Sequence, residues 1–281
     1  MGDVYSINML FSIILPTYNS SNFILDTINC ILNQTYNNFE LLIIDDFSSD
    51  NTHSILLEYQ KIDNRIKVFK NPSNFGVSFS RNYGIEKAIG DYLIFWDSDD
   101  IASPDRLYLQ SQIIKDKSID VFYSNYHIID TFGNILFKKK AISKLNIYNF
   151  YIENPIPNLT ALIKRESIGN FRFRINVKHE DSIFYFDLFK SGLKFKKVSL
   201  QDHFYYRYHS NSLSGKKYES LRWRYFNLRN DFNLTITKAV LFYSIYFFKN
   251  LIKYSILKLR FMLIGLFFIP LKIKNGDTID W

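Results

Sequence analysis

The chain has 281 residues, of which 47% are hydrophobic and 18% aromatic, a composition that excludes a disordered protein and supports a sizeable core. Its formal net charge of +8 indicates an anionic partner, which could be a nucleotide, a nucleic acid or a phospholipid surface. The single cysteine, Cys30, excludes a disulfide framework and a thiolate metal site.

The first part of the chain alternates short apolar runs with amphipathic helical patterns. The runs predict strands at residues 11–15, 39–44, 66–69 and 92–96, and the patterns predict helices around residues 24–32, 52–59 and 78–88. Such alternation is typical of βαβ units and a mostly parallel sheet. Residues 8–115 are therefore predicted to form the nucleotide-binding half of an α/β, Rossmann-like fold.

The second part of the chain is less regular. The sequence predicts a helix at 104–115, a strand at 120–129, a hairpin turn at 133–134, a helix at 182–190, a strand at 195–200 and an aromatic, basic loop at 204–214. Between residues 142 and 174 no period is clear and prolines interrupt the chain, so a variable substrate region is predicted there. Residues 116–215 then complete one domain, 1–215, and residues 216–281 form a basic, apolar, helical tail.

Three carboxylates, Asp97, Asp99 and Asp100, directly follow the predicted strand at 92–96. Ligands of open α/β sheets bind at the carboxyl ends of the strands. Acids this close repel one another unless a cation or several donors share their charge, and Mg²⁺ is commonly held by one or two carboxylates together with substrate phosphates. The pattern indicates a site for a divalent ion and a diphosphate. A solvated acidic turn, with Ser98 capping a helix, is the structural alternative.

An ordered set of short motifs runs from residue 11 to about residue 215. Its members are Ile13-Ile14-Leu15-Pro16-Thr17-Tyr18-Asn19, Leu32-Asn33-Gln34-Thr35-Tyr36, Glu40 to Asp46, Ser48-Ser49-Asp50-Asn51-Thr52, Asn74-x-Gly76, Ser80-Arg81-Asn82-x-Gly84-Ile85, Asp97-Ser98-Asp99-Asp100, Pro104-Asp105-Arg106-Leu107, Glu180-Asp181 and Tyr206-Arg207-x-His209. The set resembles the inverting glycosyltransferases of family 2, of the kind that synthesise bacterial capsule, O-antigen and other surface polysaccharides. One departure is Phe47, where the family often has glycine.

The resemblance implies a GT-A type fold, in which helices flank a mixed sheet, and a nucleotide-diphosphate sugar as donor. It implies that Pro16, Tyr18 and Asp46 line the base pocket, where Asp46 would accept a hydrogen bond from a nucleobase ring N–H, a contact suited to uracil. Arg81 would face the nucleotide. Taken alone, Asp46 could instead cap the next helix and Arg81 could be a surface charge.

The resemblance also implies a role for each residue of the acidic motif. Asp97, with Ser98 beside it, would approach the ribose, and Asp99 and Asp100 would bind Mn²⁺ or Mg²⁺ and the diphosphate. A metal ion there would act as a Lewis acid on the departing phosphate oxygens. His209 is a further candidate metal ligand, although a histidine in an aromatic loop is often only packed or exposed.

Asp181 is the candidate catalytic base, with Glu180 in a supporting role. An inverting transfer needs a carboxylate that takes the proton of the acceptor hydroxyl while its oxygen attacks the anomeric carbon opposite the diphosphate. The two acids precede a predicted helix, whose positive end favours their ionised forms. Capping of that helix is the structural alternative.

Three other classes of function compete with glycosyl transfer. A nucleotidyltransferase also uses paired carboxylates and metal, but it would normally have a basic glycine-rich loop after the first strand, where this chain has Pro16-Thr17-Tyr18. A nucleic-acid-binding protein would carry its basic residues in a stripe along the domain, whereas many here follow Lys190. A non-catalytic nucleotide-binding scaffold would not need the intact acids.

The predicted tail alternates apolar runs with lysines and an arginine. Ala239 to Phe248 is an uncharged run of ten residues and Phe261 to Leu271 one of eleven, both short of the roughly 20 needed to span a bilayer. The tail is therefore expected to lie on an anionic membrane surface, with helices packed on the domain or in a dimer as the alternative. No basic segment precedes the first apolar run, so a cleaved signal peptide is not expected. We expect a cytoplasmic protein, peripheral on the inner face of the plasma membrane, with a lipid-linked glycan acceptor and no nucleic-acid partner.

Overall fold

The computed structural model describes residues 9–200, 203–208 and 217–266, with backbone only for 217–221 and 253–266. Its strands are β1 (Phe11–Thr17), β2 (Phe39–Asp45), β3 (Ile66–Lys70), β4 (Tyr92–Phe95), β5 (Ile101–Ala102), β6 (Val121–Tyr123), β7 (Tyr126–Ile129), β8 (Ile135–Lys139), β9 (Leu162–Lys164), β10 (Phe195–Lys197) and β11 (Phe204–Arg207). Its helices are α1 (Ile24–Leu32), α2 (Thr52–Ile62), α3 (Val77–Lys87), α4 (Arg106–Ile113), α5 (Ile147–Ile152), α6 (Arg165–Ile168), α7 (Glu180–Lys190), α8 (Lys217–Asn230) and α9 (Ile236–Leu266).

Within the described residues, a mixed sheet of seven strands forms the centre of the molecule, in the order β10-β6-β9-β4-β1-β2-β3. Strands β4, β1, β2 and β3 run parallel, as the alternation of strands and helices predicts. Only β9 runs antiparallel to its neighbours β4 and β6. A smaller sheet has the order β5-β11-β7-β8.

The core lies on both faces of the main sheet. Alternate residues of each central strand enter different clusters: Ile14 and Leu42 pack on the face covered by α3 and α7, whereas Ile13 and Leu41 pack on the face covered by α1 and α2. Both faces are covered by helices, so every residue of β1 and β2 is buried. This burial explains why these strands are uninterrupted apolar runs rather than alternating patterns.

The single strand predicted at 120–129 is wrong. Strand β6 belongs to the main sheet and β7 to the smaller one, with buried Ser124 and Asn125 between them. Ser124 N–H donates to Thr160 Oγ1 at 3.1 Å, and Asn125 Oδ1 accepts from Ala141 N–H at 2.9 Å. These bonds satisfy polar groups where the chain leaves one sheet for the other, a change that a continuous β-rich pattern does not reveal. The predicted turn at Gly133-Asn134 is confirmed between β7 and β8.

Besides the two-residue β5, two strands lie in segments for which the sequence predicts no strand. β9 is part of the irregular stretch at 142–174, and β11 is part of the predicted loop at 204–214. Each has only three or four residues, too few to display a period. Their pairing partners, which supply the stabilising bonds, are distant in sequence.

The end of α8 and the start of α9 belong to the core. Leu228 and Ala239 are fully buried, and Arg224 Nη2 donates to the Phe150 carbonyl. Farther along α9, apolar residues including Leu241 and Phe248 are more than half exposed. None of the helices in the described part of the chain is both long and apolar enough to cross a bilayer.

Candidate active site

A cleft of about 760 Å³ opens at the carboxyl ends of β1, β2 and β4, beside the first turn of α7. This volume is within the range of small-molecule sites. Of the residues that the sequence predicts for the site, the cleft is lined by Pro16, Tyr18, Asp46, Arg81, Asp97, Ser98, Asp99 and Glu180. The parallel strands bring Pro16, Tyr18, Asp46 and the acidic turn together because their carboxyl ends meet at one edge of the sheet. Arg81 reaches the cleft from α3 and Glu180 from the start of α7.

The loops after β1, β2 and β4 are tied together by short polar side chains. Asn19 Oδ1 accepts from Ser49 N–H at 2.8 Å, which joins the first two loops. The hydroxyls of Ser20 and Ser98 lie 2.8 Å apart, which joins the first loop to the acidic turn. The wall of the cleft is thus preorganised, and the Tyr18 side chain on it is half exposed to the open volume.

Asp46 holds the loop that follows β3. Its Oδ1 accepts from Asn71 Nδ2 at 2.7 Å and from Phe75 N–H at 3.0 Å, and its Oδ2 accepts from Gly76 N–H at 2.7 Å. A carboxylate has about four acceptor positions. The loop contacts therefore leave one acceptor position of Asp46 for a ligand in the cleft. The same contacts fix the position of the loop that forms this part of the cleft wall.

Phe47 adopts the backbone conformation that glycine favours. Its φ is +67°, in the left-handed region that costs about 1–2 kcal/mol for a residue with a β-carbon. The turn after Asp46 therefore has a conformation suited to glycine despite the phenylalanine. The Phe47 ring is half exposed and lies 5.8 Å from the Lys70 ammonium.

The three carboxylates of the acidic turn point in different directions. Asp97 and Asp99 line the cleft, whereas Asp100 is fully buried and the structure does not bring it to the cleft wall. Asp100 Oδ1 accepts from Arg207 N–H at 3.0 Å, and no hydrogen-bond partner for Oδ2 is among the described residues. Burial first, and then the charges of Asp99 and Asp97, raise the pKa of Asp100 well above its usual value.

The donor set at the acidic turn fits a hard divalent cation that is shared with a ligand. In the described part of the chain, no three His, Cys, Asp or Glu side chains converge as a metal cage. A magnesium site made of one or two carboxylates plus phosphate oxygens needs no such cage. Asp99 supplies a carboxylate on the cleft wall for this purpose. His209, also predicted as a ligand, lies outside the described residues.

Arg81 connects the two sides of the cleft. Its Nη2 contacts Asp97 Oδ1 and its Nη1 contacts Glu180 Oε1, both at 2.7 Å. Burial by itself would lower the pKa of Arg81, but the two carboxylates raise it above its ordinary value. The guanidinium therefore remains charged and joins the end of β4 to the start of α7. It binds protein carboxylates, a contact that the sequence does not predict.

Asp181 lies in the first turn of α7 and is partly buried. Its Oδ2 accepts from Asn154 Nδ2 at 2.6 Å and its Oδ1 from Ser182 N–H at 2.8 Å. Burial, followed by the charge of Glu180, raises the pKa of Asp181 to about 7, while Arg81 opposes the rise. A carboxylate with a pKa near neutrality is suited to general-base catalysis.

Several residues at the site have no catalytic or metal-binding role predicted from the sequence. Asn154 comes from the irregular stretch at 142–174, where no sequence motif marks it as a site residue. Arg207 is part of a motif, and its Nε donates to the Asp99 carbonyl at 2.9 Å. Trp223 and Tyr206 line the cleft, so α8 also contributes to its wall.

Comparison with known proteins agrees with this geometry. The family model described as glycosyl transferase family 2 matches residues 12–184. An uncharacterised glycosyltransferase of Haemophilus influenzae is 34% identical over 88% of this chain and 98% of its own length. WfgD of Escherichia coli, named as a UDP-Glc:α-D-GlcNAc-diphosphoundecaprenol β-1,3-glucosyltransferase, is 35% identical over 79% of this chain and 86% of its own length.

Among solved structures, Staphylococcus aureus TarS (residues 1–349), in complex with UDP-GlcNAc, superposes with a TM-score of 0.63. The match covers 85% of this chain and 72% of that one, at 21% sequence identity. It therefore supports the GT-A fold. Together with the family match and the arrangement of the cleft, it leads to one conclusion: the chain belongs to glycosyl transferase family 2, the GT-A glycosyltransferases that use nucleotide-sugar donors.

Proposed function

We propose that this enzyme transfers a sugar from a UDP-sugar, with inversion, to a hydroxyl of a lipid-linked glycan during the synthesis of a cell-surface polysaccharide. The main support is one arrangement: the acids of the cleft and the first turn of α7 lie on two sides of Arg81, which pairs with both. On this basis we assign Asp46, Asp97 and Asp99 to a donor side and Asp181 to an acceptor side.

On the donor side, Pro16 and Tyr18 would contact the nucleobase, and Asp46 would accept from its ring N–H through the acceptor position that the loop leaves open. Asp97 would contact the ribose, with Ser98 beside it. Asp99 would hold Mn²⁺ or Mg²⁺ together with the diphosphate, and this ion would supply Lewis-acid stabilisation of the leaving group. Because Asp100 is buried behind the turn, a ligand role for it would need the turn to move.

On the acceptor side, Asp181 would accept the proton of the acceptor hydroxyl. The hydroxyl oxygen forms the new bond to the anomeric carbon as the bond to the nucleoside diphosphate breaks, and the electron pair leaves with the diphosphate. Attack from the face opposite the leaving group inverts the anomeric configuration. Glu180, paired with Arg81, would fix the first turn of α7 so that Asp181 keeps its position.

The acceptor proposal is supported by WfgD, whose name specifies a diphosphoundecaprenol-linked acceptor. It is also supported by the basic, exposed apolar part of α9, which would attach the enzyme to the cytoplasmic face of the membrane where such acceptors lie.

Calorimetry with UDP tests the donor side. We expect UDP to bind in the presence of Mn²⁺ or Mg²⁺, and the affinity to fall at least about tenfold in EDTA and in Asp99→Asn, because charge-assisted contacts contribute about 1.5–3 kcal/mol. Asp116→Asn, an exposed carboxylate outside the cleft, is the control and should bind normally. Equal UDP affinity with and without metal would contradict the metal role. A panel of nucleotide sugars, assayed for UDP or GDP release, then identifies the donor.

A further inference from the structure

Arg207 ends β11 as a buried cation for which the proposed reaction has no use. Its side chain is only 5% exposed, and a buried cation is costly unless it is paired and hydrogen-bonded. Its ion pair with Asp26 Oδ2 is long, at 3.4 Å, and the Asp26 side chain is mostly exposed. Such a pair contributes little, so it does not explain why the guanidinium is buried at this position.

The guanidinium binds main-chain carbonyls on two turns. Nε donates to the Asp99 carbonyl at 2.9 Å, and Nη1 donates to the Thr131 carbonyl at 3.0 Å. Asp99 belongs to the acidic turn, and Thr131 belongs to the turn between β7 and β8. Because a guanidinium holds its donors in a fixed planar fork, it fixes the acidic turn relative to the smaller sheet.

The carbonyls on either side of Asp99 are held from α1. Thr27 Oγ1 lies 3.0 Å from the Ser98 carbonyl oxygen and 3.2 Å from the Asp100 carbonyl oxygen, close enough to donate to either. The main chain of the acidic turn is therefore held by Thr27 on both sides of Asp99. Arg207 holds it at Asp99 itself.

The main chain of Arg207 makes a separate contact with the neighbouring acid. Its N–H donates to Asp100 Oδ1 at 3.0 Å, which holds the buried Asp100 carboxylate against β11. The Asp99 carboxylate lines the cleft instead. A substitution of the Arg207 side chain leaves its N–H in place, so it removes the contact with Asp99 and keeps the contact with Asp100.

We infer that Arg207 is a positioning residue for the proposed metal ligand Asp99. Its guanidinium holds the main chain of the acidic turn so that the Asp99 carboxylate meets a cation shared with the donor diphosphate. This inference rests on the proposed function, because it requires a metal ion at Asp99. It assigns part of the metal-dependent affinity for the donor to a strand of the smaller sheet, 108 residues from Asp99 in sequence.

The test compares, by calorimetry on full-length enzyme, the Kd of UDP in EDTA with its Kd in saturating Mn²⁺. The ratio of the two constants measures the part of UDP affinity that depends on metal. Arg207→Met keeps an apolar side chain but has no donor, and its ratio should be at least about fivefold lower than that of wild type, as for the loss of one hydrogen bond. Its Kd in EDTA should stay within about twofold of wild type, because Pro16, Tyr18 and Asp46 are unchanged.

Arg65→Met is the matched control. Arg65 also lies over an aromatic ring, that of Phe39, and pairs with a carboxylate, that of Asp63, at 2.7 Å. It does not line the cleft or contact the acidic turn. Its variant should have the wild-type ratio, even if it is less stable.

Arg207→Lys keeps the buried charge and should fold even if Arg207→Met does not, which thermal melting checks. A single ammonium group does not reproduce the fixed fork of donors, so the ratio should fall in this variant as well. Folded Arg207 variants with the wild-type ratio, or with UDP affinity lowered equally in EDTA and in Mn²⁺, would refute this inference alone. A wild-type UDP affinity that does not depend on metal would refute the metal role in the proposed function, and this inference with it.

Discussion

At the scale of single residues, the proton affinity of Asp181 is determined by opposing neighbours. Burial and the charges of Glu180 and Asp97 raise its pKa to about 7, and the Arg81 guanidinium lowers it. Burial first, and then the charge of Asp181, raise the pKa of Tyr185, whose hydroxyl donates to Asn158 Oδ1. A simple helix cap would be stabilised in its ionised form, whereas this carboxyl is harder to ionise than a free one.

Asp181→Asn should lower the rate of transfer at least about 100-fold, because the acceptor hydroxyl would lose its general base. UDP affinity should change little, since the cleft lining does not include Asp181. In wild-type enzyme the transfer rate should rise with pH through about 7, as Asp181 ionises. Steady-state kinetics between pH 5 and 9 measure both effects. A variant that keeps most of its kcat would assign the base to another residue, with Glu180 the next candidate.

The same substitution has an expected effect on stability. The unfolded chain releases the Asp181 proton near 3.8, whereas the folded chain holds it to about 7. The folded state therefore binds more protons in this interval, and ionisation of Asp181 lowers the free energy of unfolding as the pH rises from about 4 to about 7. Asp181→Asn should consequently melt at a higher temperature than wild type at pH 8, and this difference should shrink steadily as the pH falls towards 4. A lower melting temperature at pH 8 would instead indicate a capping role.

At the scale of elements, α3 links the core to the site. Arg81 and Gly84 lie one turn apart on this helix, so they share a face. Arg81 contacts Asp97 and Glu180, and Gly84 lies against the buried Ile14 side chain of β1, where a β-carbon would overlap it. The close approach of α3 to β1 places the guanidinium between the two carboxylates.

Gly84→Ala should therefore lower the free energy of unfolding by about 1–3 kcal/mol, as overpacking does in a filled core. The added β-carbon would push α3 away from β1 and so displace Arg81. The transfer rate should therefore fall together with the stability. Glu86→Ala, an exposed position on the same helix, is the control and should change stability by less than about 0.5 kcal/mol. Chemical denaturation measures both. If Gly84→Ala left the free energy of unfolding unchanged, α3 would be able to move away from the sheet without cost, which would contradict the tight packing.

At the scale of the whole molecule, the C-terminal helices combine two environments. Their first part is buried against α5 and α7 and supplies Trp223 to the cleft, whereas the exposed part of α9 is apolar and flanked by basic residues. Exposed apolar surface with lysines at its border matches the interface of an anionic bilayer, where each lysine contributes roughly 1 kcal/mol.

Full-length enzyme should float with anionic liposomes at low salt and less so at high salt, because salt screens the attraction of the lysines. A chain that ends at residue 233, before α9 begins, should remain at the bottom. This truncation keeps Leu228, and therefore the contact of α8 with the core. Flotation with neutral liposomes, in which both chains should stay at the bottom, is the control. If the full-length chain does not float, the exposed face of α9 is covered by protein instead.

The sequence by itself determined the parallel strands β1 to β4 and the residues at their carboxyl ends, because burial on both faces produces apolar runs that end at polar loops. Tyr18, Asp46, Asp97 and Asp99 could therefore be predicted to share one edge of the sheet. Their grouping needs no information beyond the order of strands and helices.

Tertiary structure alone decided which way each side chain points and what it contacts. Asp100 and Asp99 are neighbours in sequence, but only Asp99 lines the cleft. Asn154 reaches Asp181, and Arg81 pairs with Glu180, through contacts that join residues 27 and 99 positions apart. Such contacts leave no period or spacing in the sequence, because the free energy that selects them comes from burial and charge pairing in the folded chain, where distant segments first meet.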